Sequence, residues 1–221
     1  MKNKYNLGII GFGAMALSHY KRLIQGKTKV VVKGVFDINP NQLEEAERLG
    51  LKVYDSKEEL LNDSDIDIVL VATTNEVHKE LVIDSLRAGK HVVCEKPVTI
   101  DSAELLEIMA VVEETGKLFT INQNRRVNKD FVLMRRIVED GMIGKPYVIE
   151  SRVEGSRGVP AGWRTEKKKG GGMMLDWGVH LIDQILYMYS GKVTEIYCKM
   201  FSISCPEVDD NFRLTMTFEM V

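Results

Sequence analysis

The stretch Gly11–Ala16, GFGAMA, follows a run of apolar residues and precedes a segment with helical periodicity. Its spacing is G-x-G-x-x-A. In such a loop the first glycine permits a tight turn, the second lets a pyrophosphate approach the backbone, and the small third residue lets helix and strand pack closely. The N–H groups and the dipole at the start of the helix attract negative charge. The stretch therefore predicts a dinucleotide-binding loop with contacts from Gly11, Phe12, Gly13, Ala14 and Met15.

Alternating strands and helices surround this loop. The predicted strands are short β-branched runs at Tyr5–Ile10, Val30–Phe36, Ile66–Val71, His91–Cys94 and Leu118–Asn122. The predicted helices between them are Ala14–Gln25, Pro40–Leu49, Glu76–Ala88 and Ser102–Thr115. Strands that are apolar at nearly every position suit a parallel sheet covered on both faces. Residues 1–124 are thus predicted to form an α/β Rossmann domain with a doubly wound parallel sheet.

The pattern changes in residues 125–221, which are predicted to form a partial α+β domain with a mostly antiparallel sheet. Alternation of apolar and polar residues is typical of strands with one wet face. The predicted elements are helices Lys129–Asp140 and Gly172–Tyr189 and strands Tyr147–Val153, Glu195–Ile203 and Phe212–Met220. A sheet with so few strands has an open edge and a half-covered face. We therefore expect this chain to be shortened at its C-terminus relative to a complete protein.

Asp37 stands directly at the end of the second predicted strand, after Phe36 and 24 residues after Gly13. A carboxylate at this place accepts hydrogen bonds from the hydroxyls of the adenosine ribose and repels a 2′-phosphate. The predicted cofactor is therefore NAD, with NADP disfavoured. The alternative is that Asp37 only caps the helix that begins at Pro40.

The end of the third predicted strand adds polar residues at the edge where open α/β sheets bind ligands. We expect the nicotinamide side of the cofactor to lie near Ala72, Thr73, Thr74 and Asn75. Asn75 could instead cap the next helix. His78, in the first turn of that helix, is included among the predicted cofactor contacts, with a capping or surface position as the alternative.

Two further motifs lie about 80 residues apart. The first is Cys94-Glu95-Lys96-Pro97, at the end of the fourth predicted strand. The second has three glycines, Gly170-Gly171-Gly172, followed by Asp176, Gly178-Val179-His180 and Asp183. With the glycine loop, this pattern resembles the family of glucose–fructose oxidoreductase, inositol dehydrogenase and MocA-like proteins. Asn124-Arg125-Arg126 and Trp163-Arg164 also match it, so the resemblance covers essentially the whole chain.

The resemblance implies hydride transfer between NAD and a secondary alcohol or ketone of a sugar, inositol or other polyol. It places Lys96 and His180 beside the reacting carbinol, with Asp176 nearby. It also implies an assembly, a homodimer or homotetramer, in the complete protein. The cofactor contacts that we assign beyond the strand ends already described are Glu95, Lys96, Asn124, Trp163 and Arg164.

The chemistry of these residues supports the same roles. Oxidising an alcohol requires a base for the hydroxyl proton, and histidine titrates near neutral pH. Asp176 precedes His180 by four residues, so both are expected on one helix face, where the carboxylate can orient the imidazole or bind a neighbouring substrate hydroxyl. Lys96 supplies a cation that stabilises a developing alkoxide. The alternatives are a surface Asp–His pair and a solvated lysine. No third ligand with suitable spacing joins Asp176 and His180, so no metal is predicted.

Two other functions fit a chain of this type. Some proteins that resemble the family bind the dinucleotide as sensors without turnover. Others use bound NAD transiently during sugar elimination or glycoside hydrolysis. Neither the substrate nor the reaction direction follows from the sequence. Specificity is expected in the loop of residues 155–169 and nearby, with Arg152, Arg157, Trp163 and Arg164 as candidates.

Composition excludes some partners. Thirty basic and thirty-two acidic residues leave a formal charge of −2, which offers no electrostatic basis for binding nucleic acid or an anionic membrane. The three cysteines have no metal-ligand spacing and are expected to be reduced thiols in the cytoplasm. The predicted partner is a small polyol or sugar substrate.

Overall fold

A computed structural model describes residues 4–155 and 158–219. The chain divides into two compact units, Met1–Asn122 and Gln123–Val221. The boundary predicted from the sequence lies two residues further on, after residue 124. Among the described residues, no helix has the length and apolar character needed to cross a membrane.

The first unit is a six-stranded sheet with all neighbouring strands parallel, in the order β3-β2-β1-β4-β5-β6. The predicted doubly wound parallel sheet is therefore confirmed. Its strands are β1 Tyr5–Ile10, β2 Val30–Phe36, β3 Lys52–Val53, β4 Ile68–Val71, β5 His91–Cys94 and β6 Phe119–Ile121. Its helices are α1 Ala14–Gln25, α2 Pro40–Arg48, α3 Lys57–Asn62, α4 His78–Arg87 and α5 Ser102–Thr115.

Core side chains lie on both faces of this sheet because successive residues of a strand point to opposite sides. In β4, Val69 and Val71 belong to one buried cluster, which also contains Leu86 and Ile108 from α4 and α5. Leu70, between them, belongs to the other cluster, together with Ala16 of α1. Coverage of both faces explains why the strands are apolar at nearly every position.

The order of strands reverses between β1 and β4, which are neighbours although two strands separate them in the sequence. The loops that follow these two strands leave the sheet at the same edge, its carboxyl edge, on either side of this reversal. A crevice opens at such a point in doubly wound sheets, and ligands bind there. The topology thus places residues 11–13 and 72–74 beside one another.

Two short elements of the first unit were not predicted. Strand β3 has two residues and helix α3 has six, so neither extends over enough residues to show a periodic pattern. Local signals nevertheless define α3. Ser56 caps its N-terminus by accepting a hydrogen bond from the Glu59 N–H, and Leu60 and Leu61 are buried.

The second unit contains the two-stranded antiparallel sheet β7 Val193–Phe201 and β8 Asn211–Phe218, and the helices α6 Lys129–Glu139 and α7 Val179–Met188. The predicted antiparallel pairing is confirmed. Met220, at the end of the strand predicted from Phe212, lies outside the described residues. Single turns of 3₁₀ helix occur at Asn124–Val127, Trp163–Thr165 and Lys167–Lys169.

One prediction for the second unit is wrong, and one is refined. Residues 147–153 do not form a strand: no neighbouring strand pairs with them in the described chain, and the Tyr147 side chain is 96% exposed. The helix predicted from about Gly172 to Tyr189 is present: helical residues run from Met173 to Met188, and the α-helical part, α7, begins at Val179. Gly172 has a φ of +104°, which no helix can include, and the next turn, Met174–Gly178, is a π-helix.

Candidate functional site

The glycine loop after β1 has a backbone conformation and a close contact that require glycine at position 11. Gly11 has a φ of +88°, and a Cβ atom there would lie 2.7 Å from the Ala72 carbonyl oxygen. The loop is therefore pressed against the end of β4. Gly13, in contrast, has open space where a Cβ atom would stand, with no atom within 4 Å. It precedes the first residue of α1, whose N-terminus has no side-chain cap. Uncapped N–H groups facing open space suit a pyrophosphate.

Asp37 lies directly over this loop at the end of β2. Its Oδ2 accepts a hydrogen bond of 2.6 Å from the Phe12 N–H, and its Oδ1 accepts one of 2.8 Å from the Asn39 N–H. The cap of α2 is Asn39, whose side chain accepts from the Asn41 N–H. The alternative role of Asp37 as the helix cap is therefore excluded. Each carboxylate oxygen has a second lone pair with which to accept a ribose hydroxyl.

His78 connects two loops at the carboxyl edge of the sheet. Its ring is completely buried. Nδ1 lies 2.8 Å from the Pro97 carbonyl oxygen, and Nε2 lies 3.2 Å from that of Thr73. Burial lowers the pKa of His78 despite the two carbonyls, which act in the opposite direction. The surface position considered from the sequence is thus wrong, and the ring supports the loops that carry Thr73 and Lys96.

Thr74 and Asn75 follow Thr73 in the loop after β4, at the carboxyl edge of the sheet. Thr74 donates a hydrogen bond of 3.0 Å to Glu76, and Asn75 is buried at the start of a 3₁₀ turn, Asn75–Val77. The residue in the N-cap position of this turn is Thr74, not Asn75.

A buried polar cluster holds Glu95 after β5. The Glu95 side chain accepts a hydrogen bond of 2.8 Å from Asn122 Nδ2 and lies 2.5 Å from His19 Nε2. Burial raises the pKa of Glu95, but the hydrogen bonds from His19 and Asn122 outweigh it, so the pKa lies below its ordinary value. The carboxylate is thereby fixed one residue before Lys96, which is half-buried and precedes a cis peptide bond to Pro97.

The sequence analysis did not identify His19 or Asn122. His19 falls three residues after the buried Ala16, on the face of α1 that packs against the sheet. A polar residue at that position was the available signal, since residues three apart lie on one helix face.

In the second unit, His180 is held by a residue that was also not predicted. The His180 side chain is almost completely buried, and its Nδ1 lies 2.6 Å from Gln123 Oε1. The Gln123 amide nitrogen donates a hydrogen bond of 3.2 Å to the Val179 carbonyl. The Trp177 ring meets the imidazole edge-on, with centroids 5.9 Å apart.

Asp176 lies in the π-helical turn and forms an ion pair with Arg164, whose Nε is 3.4 Å from Asp176 Oδ2. The guanidinium of Arg164 also stacks on the Trp163 ring at 4.4 Å. The structure thus brings Asp176, Arg164 and Trp163 together. That Asp176 orients the imidazole stays a prediction, and the described side chain that faces Nδ1 of His180 is Gln123.

The three consecutive glycines hold the loop that carries Arg164. The N–H of Gly172 donates to the Arg164 carbonyl at 3.0 Å, and that of Gly171 donates to the Glu166 carbonyl at 3.1 Å. A Cβ atom on Gly171 would overlap the Arg164 carbonyl. The start of the following helical segment is fixed by Asp209, which accepts a hydrogen bond of 2.7 Å from the Met174 N–H. Asp209 was not identified from the sequence.

Arginines line the remainder of this region. Arg125 stacks on the Trp177 ring at 4.7 Å, and Arg126 forms two hydrogen bonds, of 2.8 and 2.5 Å, with the Asp183 carboxylate. The Asn124 side-chain oxygen is buried with no hydrogen-bond partner among the described residues, so an additional donor would satisfy it. Arg157, a candidate for specificity, lies outside the described residues. The described chain contains no group of three or more His, Cys, Asp or Glu side chains that could hold a metal ion.

Two family models match the chain. Residues 5–123 match the oxidoreductase family with an NAD-binding Rossmann fold, Gfo/Idh/MocA. The chain belongs to this family. Residues 131–220 match a Gfo/Idh/MocA C-terminal domain, in agreement with the resemblance found from the motifs.

One solved structure and two relatives extend the comparison. A solved structure of an NAD-binding protein from Listeria innocua is 46% identical with a TM-score of 0.95, over 98% of this chain and 64% of that one. Myo-inositol 2-dehydrogenase of Thermotoga maritima is 32% identical over 86% of this chain and 57% of its own length. An uncharacterized oxidoreductase of Schizosaccharomyces pombe, C26H5.09c, is 35% identical over 76% of this chain and 46% of its own. The chain spans about half the length of these curated relatives.

Proposed function

We propose that this chain carries the chemistry of an NAD-dependent oxidoreductase acting on a secondary alcohol or ketone of a sugar, inositol or other polyol. The observation that supports it most strongly is the carboxylate of Asp37, held 2.6 Å from the Phe12 N–H over the glycine loop. An acid at this place selects a dinucleotide with two ribose hydroxyls. Membership of a family with an NAD-binding Rossmann fold supports the same cofactor.

The described residues fit a dinucleotide. Gly13 and the uncapped start of α1 would hold the pyrophosphate, and Asp37 would bind the adenosine ribose and disfavour NADP. The loop after β4, with Thr73 and Asn75, would lie on the nicotinamide side. When bound, the nicotinamide supplies the group that accepts or returns hydride.

The chain's own side chains would handle the proton and the charge. His180 would take the hydroxyl proton on Nε2 while the carbinol carbon loses its hydride, so that a carbonyl forms. Lys96 would polarise the same oxygen and stabilise negative charge on it. Asp176, paired with Arg164, would accept a hydrogen bond from a neighbouring substrate hydroxyl. Burial of His180 keeps bulk water from the imidazole.

The class of substrate is supported by the relatives and by the site's side chains. One relative is named myo-inositol 2-dehydrogenase. Trp163 and Trp177, each with an arginine stacked on it, offer flat apolar surfaces beside hydrogen-bond donors. Such a combination is typical of small-molecule sites. A cytoplasmic location and a homodimer or homotetramer of the complete protein stay predictions.

Calorimetric titration with NAD and NADP tests the cofactor assignment. We expect NAD to bind more tightly than NADP. Asp37→Ala should weaken NAD binding by one to two orders of magnitude, because hydrogen bonds to a charged group contribute about 1.5–3 kcal/mol. Asp55→Ala, which changes an exposed acid on a loop after β3, is the matched control. Equal affinity of NAD and NADP, or an unchanged affinity in the Asp37 variant, would contradict the assignment.

Turnover tests the reaction. Inositols, sugars and other polyols are screened by the absorbance of the reduced nicotinamide. His180→Ala should bind NAD normally but lose turnover by about 10²–10⁴-fold, the usual contribution of a general base. NAD binding without turnover of any polyol would replace the proposed reaction by the sensor function.

A further inference from the structure

In the contact between Gln123 and His180, the hydrogen-bond donor and the acceptor can be identified. We propose that Gln123 is a positioning residue that holds His180 in the tautomer with its proton on Nδ1, so that Nε2 is the nitrogen that accepts a proton. The tautomer itself is independent of any activity, whereas its use in catalysis rests on the proposed function. Both residues belong to the second unit.

The orientation of the Gln123 amide follows from its second partner. The Val179 carbonyl oxygen can only accept, so the atom of Gln123 that faces it at 3.2 Å must be the NH₂ group. The other end of the amide, the oxygen, is then the atom that lies 2.6 Å from His180. An exchanged amide would set two oxygens against each other, which settles the usual ambiguity between amide oxygen and nitrogen.

The tautomer follows in turn from the amide. Gln123 Oε1 can only accept, so Nδ1 of His180 must donate to it. In a neutral imidazole only one nitrogen carries hydrogen, and the lone pair is therefore on Nε2. His180 is 4% exposed, so its ring is shielded from bulk water. We expect the Nδ1–H form to dominate by roughly 5- to 150-fold, the ratio implied by one unsatisfied buried polar group.

A second neighbour, Trp177, also contacts the ring and stands at 70° to the imidazole. Gln123 in addition bonds the carbonyl of Val179, the residue before His180. Gln123 thus contacts both the ring and the helix that carries it. In serine proteases the wrong tautomer of the catalytic histidine costs about 10⁴ in kcat, which gives the upper scale for losing such an orienting group.

The test is the ¹⁵N NMR signature of His180 in the full chain at pH 8, without cofactor or substrate. Long-range ¹H–¹⁵N correlations distinguish the protonated nitrogen from the one with the lone pair, and a His180→Gln variant assigns the signals among the four histidines. We expect a protonated Nδ1 in the wild-type chain. In Gln123→Met, which keeps the side-chain length but offers only a weakly accepting thioether, a substantial Nε2–H population should appear.

Two variants separate the acceptor from packing. Gln123→Glu loses the hydrogen bond to the Val179 carbonyl, as Gln123→Met does, but keeps an oxygen that can accept from Nδ1. The Nδ1–H tautomer should therefore persist, and the added negative charge should raise the pKa of the imidazole. Gln184→Met removes another glutamine of the same unit, which bonds the Arg125 carbonyl at 3.1 Å, and should leave the His180 signals unchanged.

A protonated Nε2 in the wild-type chain would overturn the proposal, as would full retention of the Nδ1–H form in Gln123→Met. If turnover is found, Gln123→Met should lower kcat by about 10²-fold or more, with little change in KM. If no polyol is turned over, the reaction fails while the NMR result still decides the tautomer.

Discussion

Replacing Gly11 with alanine adds one methyl group at the most constrained position of the cofactor loop. Gly11 has a φ of +88°, and the new Cβ atom would lie 2.7 Å from both the Ala72 carbonyl oxygen and Thr73 Cγ2. The Ala72 oxygen is backbone at the end of the central strand β4, and it cannot move without shifting that strand.

Two costs add up in this variant. A residue with a Cβ atom at positive φ costs about 1–2 kcal/mol, and overpacking of a well-packed site typically costs about 1–3 kcal/mol. The free energy of unfolding should therefore fall by about 2–5 kcal/mol. With a urea m-value of about 2 kcal/mol/M, the unfolding midpoint falls by about 1–2.5 M.

Gly13→Ala is the matched control because it adds the same methyl group two residues further on. Gly13 has a φ of −72° and a ψ of −169°, which alanine adopts without strain, and its Cβ atom would meet nothing within 4 Å. Stability should be unchanged or rise by about 0.4–1 kcal/mol, through the unfolded chain. Dinucleotide affinity should fall, because the methyl group occupies the space in which the pyrophosphate approaches the backbone.

Urea unfolding followed by far-ultraviolet circular dichroism measures the first effect, and calorimetric titration with NAD measures the second. The reasoning is refuted if both alanines destabilise the chain equally, since of the two positions only Gly11 has backbone atoms that a Cβ atom would overlap. It is equally refuted if Gly13→Ala binds NAD with wild-type affinity.

Two further predictions concern stability. Because the pKa of His78 is lower in the folded chain than its ordinary value, the unfolded chain takes up a proton first as the pH falls. The urea midpoint should therefore decrease from pH 7.5 to pH 5.5, and should decrease less in His78→Gln; equal decreases would exclude this origin. Gly171→Ala should destabilise the second unit, by about 1–3 kcal/mol, because its Cβ atom overlaps the Arg164 carbonyl. Tryptophan fluorescence during urea unfolding measures this effect, and Gly155→Ala, where a Cβ atom meets nothing, should behave as wild type.

Much of the first unit followed from the sequence because its signals are local. Strands β1, β2 and β5 and helices α1 and α5 have the bounds that were predicted. Buried parallel strands are continuous apolar runs, and α5 ends at Gly116, whose φ of +61° only glycine adopts readily. Residues 147–153 alternate as a strand would, but none of the strands in the described part of the chain pairs with them, and alternation alone does not determine pairing.

The site could be predicted only where one segment contains all of its parts. The glycine loop is such a segment. The contact of His180 with Gln123 joins residues 57 apart, and that of Glu95 with His19 joins residues 76 apart. A single glutamine or asparagine carries no pattern, and a histidine on the packed face of α1 indicates a polar contact without identifying its partner. These roles therefore depend on the tertiary structure.

The two hydrogen bonds that Asp37 accepts have a consequence for discrimination between cofactors. Its carboxylate is already ordered by the Phe12 and Asn39 N–H groups, so a ribose would meet a side chain whose rotamer entropy, about 0.5–1.5 kcal/mol, is lost before binding. A 2′-phosphate would be repelled by this carboxylate, which is held in place and cannot easily move away. The carboxylate could turn aside only by leaving both N–H groups without their acceptor. The proposed selectivity for NAD at this position would therefore come from immobility as much as from charge.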